Sequence, residues 1–217
     1  MKGKYFNLHR HSLPKDPEEY SIVNIFPEKD VPENCPYSVG FHPWFVSADR
    51  IDISIMLVEE KGAGAAAIGE CGLDRACKIQ FELQLKAFRA QIGIAGKLGK
   101  PLIIHCVRAY PDIISEKKSC GGDLPWIVHG FRRNAETAIH LIKHGFYLSF
   151  GEALIKDPGL GEVLRQVPSD KFFLETDESG TGIRDVYRAA AECLGIGEGE
   201  LASIMSSNTQ AVFKQLP

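Results

Sequence analysis

The sequence predicts an α/β fold of the TIM type, a (β/α)8 barrel, and three observations predict it. Eight short apolar runs recur along the 217 residues, and most are separated by stretches with helical spacing. Ionisable side chains stand at the carboxyl ends of these runs. Strands alternating with helices argue for a parallel sheet, and eight of them favour a closed barrel. The runner-up is an open doubly wound sheet, which leaves its edges to be explained. No repeat, linker or low-complexity tract interrupts the pattern, so residues 1–217 read as a single domain.

The elements follow in order. Lys4–Leu8 is a short strand leading into His9-Arg10-His11, and Ser21–Phe26 is a second, closed by Pro27. Only about nine residues separate them, too few for the usual crossover helix, so the first crossover helix is expected to be shortened or missing. Tyr37–Phe41 is the third strand, and Ala48–Lys61 a helix with Ile51, Ile55 and Val58 on one side. Ala66–Glu70 is the fourth strand, broken by Gly72. Ile79–Leu98 is a long amphipathic helix in which Phe81, Leu85, Phe88, Ile92 and Ala95 recur at helical steps; Gly99 and Pro101 stop it. Pro101–Cys106, Trp126–His129, Phe146–Phe150 and Phe172–Glu175 are the remaining strands. Helical patterns cover Tyr110–Lys118, Ala135–His144, Pro158–Gln166, Ile183–Leu194 and Glu200–Leu216.

Composition bounds the function. A net charge of −3 argues against holding duplex nucleic acid by bulk attraction, although a local basic rim is compatible with it. The six cysteines form no CxxC pair, and Cys71 and Cys106 lie in apolar runs as small core residues. No apolar stretch approaches the roughly 20 residues of a membrane helix. The start lacks the apolar core of a signal peptide, so the expected compartment is the cytoplasm and no membrane partner is expected.

His9 and His11 follow the first strand, His42 the third and Glu70 ends the fourth; His105 ends the fifth, His129 the sixth, and Glu175 and Asp177 the eighth. In a barrel those positions converge on one mouth. Residues i and i+2 of an extended chain face one side, so His9 with His11, and Glu175 with Asp177, can share a cavity. Such nitrogen and oxygen donors suit zinc, manganese or other borderline divalent ions. A lone histidine at a strand end is more often a hydrogen-bonded structural residue, but five histidines at strand ends, with the carboxylates beside them, together point to a metal site. His140 and His144 fit better as favourable charges at a helix C-terminus. Asp74 reads as a cap on the approach to the long helix rather than a ligand, and Asn208 as an N-cap or a structural hydrogen-bonding residue.

The chain resembles the TatD-type metal-dependent nucleases, a branch of the amidohydrolase-like barrels. The matching segments are His9-Arg10-His11, Gly40-Phe41-His42-Pro43-Trp44, Ile68 to Asp74, Pro101 to His105, His129-Gly130-Phe131, Leu174-Glu175-Thr176-Asp177 and Asn208 with Phe213. The resemblance implies two divalent ions (zinc, manganese or magnesium). His9, His11, Glu70 and Asp177 hold one; Glu70, His105 and His129 hold the other, with Glu70 bridging. Such a pair clamps the attacking and leaving oxygens of a phosphodiester and acidifies a bound water. Asp177 then orients that water and handles its proton, making it, with Glu70, the expected catalytic pair. Glu175 is expected to fix a ligand histidine, or to be a buried salt-bridge partner. His42 corresponds to a substrate-side histidine, or else packs beside Trp44. Arg108, Arg132 and Arg133 follow the metal-histidine strands and could neutralise a phosphate or form a solvated rim.

Three departures from the family pattern bear on function. The short first connection leaves one flank of the barrel open, an invitation to a second copy of the chain or to a rearranged neighbour. Asn7 stands where aspartate is common, and His129 to Arg133 replaces a small-residue loop. The leading expectation is a two-metal deoxyribonuclease acting on DNA ends or single strands. The alternatives are a hydrolase of a small phosphoester or a cyclic amide or ester, and a degenerate, non-catalytic barrel serving as a binding subunit.

Overall fold

A computed structural model describes residues 4–214 and 216. The strands are β1 (Tyr5–Arg10), β2 (Glu19–Ile25), β3 (Tyr37–Val39), β4 (Ala67–Asp74), β5 (Leu102–Val107), β6 (Trp126–Val128), β7 (Phe146–Phe150) and β8 (Phe172–Leu174). The helices are α1 (Ile51–Gly62), α2 (Phe81–Leu98), α3 (Tyr110–Cys120), α4 (Ala135–Lys143), α5 (Ala153–Lys156), α6 (Pro158–Leu164), α7 (Ile183–Leu194) and α8 (Glu198–Val212). The strands follow one another in chain order in an eight-stranded sheet, which removes the doubly wound alternative with its reordered strands.

The chain forms two compact units by contact density, one of residues up to Val23 together with those from His129 onward, the other running from Asn24 to Val128. In the first unit β1 pairs parallel with β2, and β7 with β8. A bridge from Arg10 to Asp177 brings the end of β1 beside the segment that follows β8. In the second unit β3, β4, β5 and β6 pair in parallel succession.

The missing crossover helix is real. Tyr5 lies opposite Glu19, so residues 11–18 must return over the length of β1, and they do so without a helix. An extended eight-residue segment reaches roughly 26–29 Å, against about 20 Å for a six-residue strand, so a plain loop suffices. Residues 26–36, between β2 and β3, carry no helix either.

Two helix boundaries show their chemistry. Gly99 ends α2 in the left-handed conformation that its lack of a side chain permits, at φ 64°. Asn134 caps α4 by accepting the Thr137 N–H. The expected helix over Pro158–Gln166 stops at Leu164, and α5 precedes it as a separate turn capped into α6 by Asp157.

The largest difference from expectation is β4, which runs through Gly72 to Asp74. Gly72 does not break the strand; it lets the strand continue. Its φ is +139°, and a Cβ there would sit 2.1 Å from the His105 carbonyl oxygen of β5. Only glycine allows that approach. Gly40, just after β3, is similarly placed, with a Cβ position 2.5 Å from the Glu70 carbonyl oxygen.

Candidate metal centre

In the first unit, β1 delivers His9 and the following turn delivers His11. His9 is fully buried and its Nε2 lies 3.6 Å from Asp177 Oδ1; His11 Nε2 lies 3.3 Å from the same oxygen. Asp177 is held by its backbone, whose N–H donates to the His9 carbonyl at 2.9 Å. These three side chains each offer a ligand atom within 4.8 Å of the others. His129, directly after β6, lies with its ring 4.4 Å from that of His9. Its Nδ1 is 3.4 Å from Glu175 Oε1, which also accepts the Gly130 N–H at 2.7 Å. Glu175 is 1% exposed, and its Oε2 is buried with no hydrogen-bond partner among the described residues.

Asn7 explains itself here. It is fully buried and its amide donates to Glu19 Oε1 at 2.7 Å and to Thr176 Oγ1 at 2.8 Å, while its oxygen accepts the Thr176 N–H at 3.1 Å. An aspartate could not donate to Glu19 and would face it as a like charge. Arg132 is exposed and lines a cavity of about 230 Å³ together with Glu175, Asp177, Glu152 and Glu178.

In the second unit, Glu70 is 4% exposed on β4. His42 Nε2 and His105 Nδ1 each lie 3.0 Å from Glu70 Oε1, and these three residues form a second donor cluster within 4.8 Å. His42 Nδ1 accepts the Trp44 N–H at 3.2 Å. In the neutral ring the proton is then on Nε2, facing Glu70, so that His42 can donate to that carboxylate. Arg108, after β5, is exposed at φ 53°.

Three features of this unit escaped the sequence reading. Asn24 on β2 accepts the Glu70 N–H at 2.7 Å and the Ser38 hydroxyl at 3.1 Å. A polar residue inside the run SIVNIF was its signal. Gln84 and Gln91 lie on the buried stripe of α2; Gln84 takes the Asp74 N–H and donates to its carbonyl, and Gln91 does the same for Phe41. Their seven-residue spacing on an otherwise apolar face was the available clue.

Asp74 is the third feature: it caps the approach to α2 as expected, and its second oxygen makes contacts the sequence did not show. It does cap a turn, with Oδ1 accepting the Ala76 and Cys77 N–H groups, but the N-cap position of α2 is Gln80. Its Oδ2 accepts the Trp44 indole N–H at 2.6 Å and lies 3.1 Å from His105 Nε2. Burial pushes the Asp74 carboxyl up, but the hydrogen bonds from Trp44, Ala76 and His105 and the attraction of the His105 ring outweigh it and hold the group below its ordinary value. Asn208 is likewise not an N-cap: it lies inside α8, where its amide donates to the Ser169 and Phe172 carbonyls at 2.8 and 2.9 Å.

The sequence profile described as TatD related DNase matches residues 21–214. The chain belongs to that family. A TatD relative from Pectobacterium parmentieri, named a 3'-5' ssDNA/RNA exonuclease, is 33% identical over 84% of this chain and 79% of its own. The Bacillus subtilis metal-dependent hydrolase YabD is 30% identical over 82% and 76% respectively. Among solved structures, the TatD homologue YJJV of Escherichia coli superposes with a TM-score of 0.82 at 20% identity, covering 100% of both chains. The (β/α)8 fold is therefore the TatD fold, here with the first crossover helix absent, and the chain is a TatD-family metal-dependent hydrolase. Both donor clusters are compatible with the metal dependence of that family. They combine imidazole nitrogens with carboxylate oxygens, which suit borderline divalent ions, and Glu175, whose Oε1 faces His129, keeps a buried Oε2 with no hydrogen-bond partner among the described residues.

Proposed function

We propose that this TatD-family chain hydrolyses phosphodiester bonds at the ends of single-stranded DNA, using two divalent ions. The observation that carries the reading is the pair of histidine and carboxylate clusters, His9-His11-Asp177 and His42-Glu70-His105, each drawn together at strand ends. The family resemblance assigns Glu70 to both ions and His129 to the second. The Pectobacterium relative's name supports single-stranded nucleic acid as the substrate class.

When bound, the ions supply Lewis-acid stabilisation of the phosphoryl oxygens and an acidified water. The protein supplies the rest. Asp177, with its side chain 39% exposed, orients the water and takes its proton as the water oxygen bonds to phosphorus and the P–O bond to the leaving sugar breaks. Glu175 fixes the His129 ring through Nδ1, which leaves Nε2 for an ion. His42 presents its Nε2 proton to Glu70, and Arg132 at the cavity beside Asp177 balances phosphate charge.

Purified protein incubated with Mg²⁺, Mn²⁺ or Zn²⁺ and end-labelled single-stranded DNA tests the reading. Progressive shortening is expected, with Glu70→Ala and Asp177→Asn each slower by roughly 10³-fold or more. Elemental analysis of the wild type should find two ions per chain, and Glu70→Ala should lose both. DNA left intact with every ion overturns the nuclease reading.

One observation favours a second substrate class. The cavity beside Asp177 measures about 230 Å³ and carries Glu152, Glu175, Asp177 and Glu178 against Arg132. An acid-rich space of that size suits a small phosphoester, or a cyclic amide or ester, better than a polyanion. Turnover of such compounds, abolished by Glu70→Ala in a protein that spares DNA, would select it.

A further inference from the structure

His105 has a carboxylate at each ring nitrogen. Nδ1 lies 3.0 Å from Glu70 Oε1 and Nε2 lies 3.1 Å from Asp74 Oδ2. A neutral imidazole carries one proton, so one of these contacts is a hydrogen bond and the other nitrogen offers a lone pair. The surroundings of Asp74 decide which. Asp74 is 3% exposed and cannot turn away, because Gln84 holds its backbone N–H and carbonyl while Ala76 and Cys77 occupy Oδ1. The Trp44 indole N–H, at 2.6 Å, aims Oδ2 at His105.

We propose that Asp74 is a positioning residue of the metal centre: its carboxylate keeps the His105 proton on Nε2 and so reserves Nδ1, the nitrogen beside Glu70, for a divalent ion, with Trp44 fixing the carboxylate. The inference rests on the metal-hydrolase reading above and adds a residue to it. A carboxylate on the far nitrogen of a ligating histidine sets its tautomer and ring orientation and raises its basicity. It also gives a reason for the continuation of β4 past Glu70, since Asp74 belongs to the same strand, four residues on. A residue that served only as a turn cap would need Oδ1 and no more.

Asp74→Asn separates the two roles. The amide oxygen still accepts from Ala76 and Cys77, so the turn survives. The NH2 group replaces Oδ2 and can only donate, so it gives up the Trp44 indole N–H, faces His105 with a donor and moves the ring proton to Nδ1, where the ion must bind. Zn²⁺ affinity, read by competition with a chelating dye, is expected to fall roughly 10–100-fold. In ¹⁵N NMR of zinc-loaded wild type, His105 should show a slowly exchanging proton on Nε2. Trp44→Phe leaves Asp74 and His105 in place, lowers zinc affinity less, and speeds exchange of that proton; it reads the same contact if Asp74→Asn melts early. Unchanged zinc affinity in Asp74→Asn, or a His105 proton on Nδ1 in the zinc-loaded wild type, overturns the role of Asp74. A wild type that takes up no zinc, manganese or magnesium overturns the metal-hydrolase reading with it.

Discussion

Asn7 and Gly72 show how single residues fix the polar contacts and the backbone beside each donor cluster. Asn7 uses both faces of its amide, donating to Glu19 and Thr176 and accepting from Thr176. Asn7→Asp keeps the shape but buries a carboxylate against Glu19, and a loss of about 3 kcal/mol or more is expected in urea unfolding at pH 7. Gly72→Ala drives a methyl group into the His105 carbonyl. A comparable loss of about 3 kcal/mol is expected, with metal uptake falling because the displaced backbone carries His105. Cys106 gives a pH-dependent readout. Burial pushes its thiol up to about 12, against a smaller lowering by the Ala109 backbone N–H. Its stabilising effect is complete below the ordinary thiol value of about 8.5 and is lost as pH rises toward the folded value. Cys106→Ala should therefore flatten the alkaline fall in stability, and iodoacetamide at pH 8 should label exposed Cys120 while sparing Cys106.

At the scale of elements, helices were legible because their ends carry local chemistry. Gly99, expected to stop the long helix, acts through its own backbone within a turn, and α7 runs over the expected residues Ile183–Leu194. The end of β4 was not legible, because Gly72 normally marks a break and here serves the close approach of β5. Asn208 was legible as a structural residue but not in its position, since its acceptors, Ser169 and Phe172, lie 39 and 36 residues away. Asn208→Ala strands both carbonyls and is expected to cost about 2–3 kcal/mol, measured by thermal unfolding, with metal uptake unchanged.

At the scale of the molecule, the first unit is assembled from the two ends of the chain. Tyr187 on α7 is fully buried, and its hydroxyl both donates to the Phe6 carbonyl and accepts the Phe6 N–H, each at 3.0 Å across 181 positions of sequence. Tyr187→Phe should lower stability by about 1–3 kcal/mol and, because so distant a contact forms late, should act mainly on the unfolding rate in stopped-flow chevrons. Sequence alone carried the strand and helix succession, the missing crossover helix and a set of candidate donor residues. Those follow from periodicity, from loop length and from which side chains can hold an ion. Tertiary structure alone decided that Gly72 continues β4, that Asn7 serves Glu19 and Thr176, and that Asp74 faces His105 under the Trp44 indole. Each of those depends on which backbone or side chain arrives from elsewhere in the chain, and no local pattern encodes a partner 31 residues away.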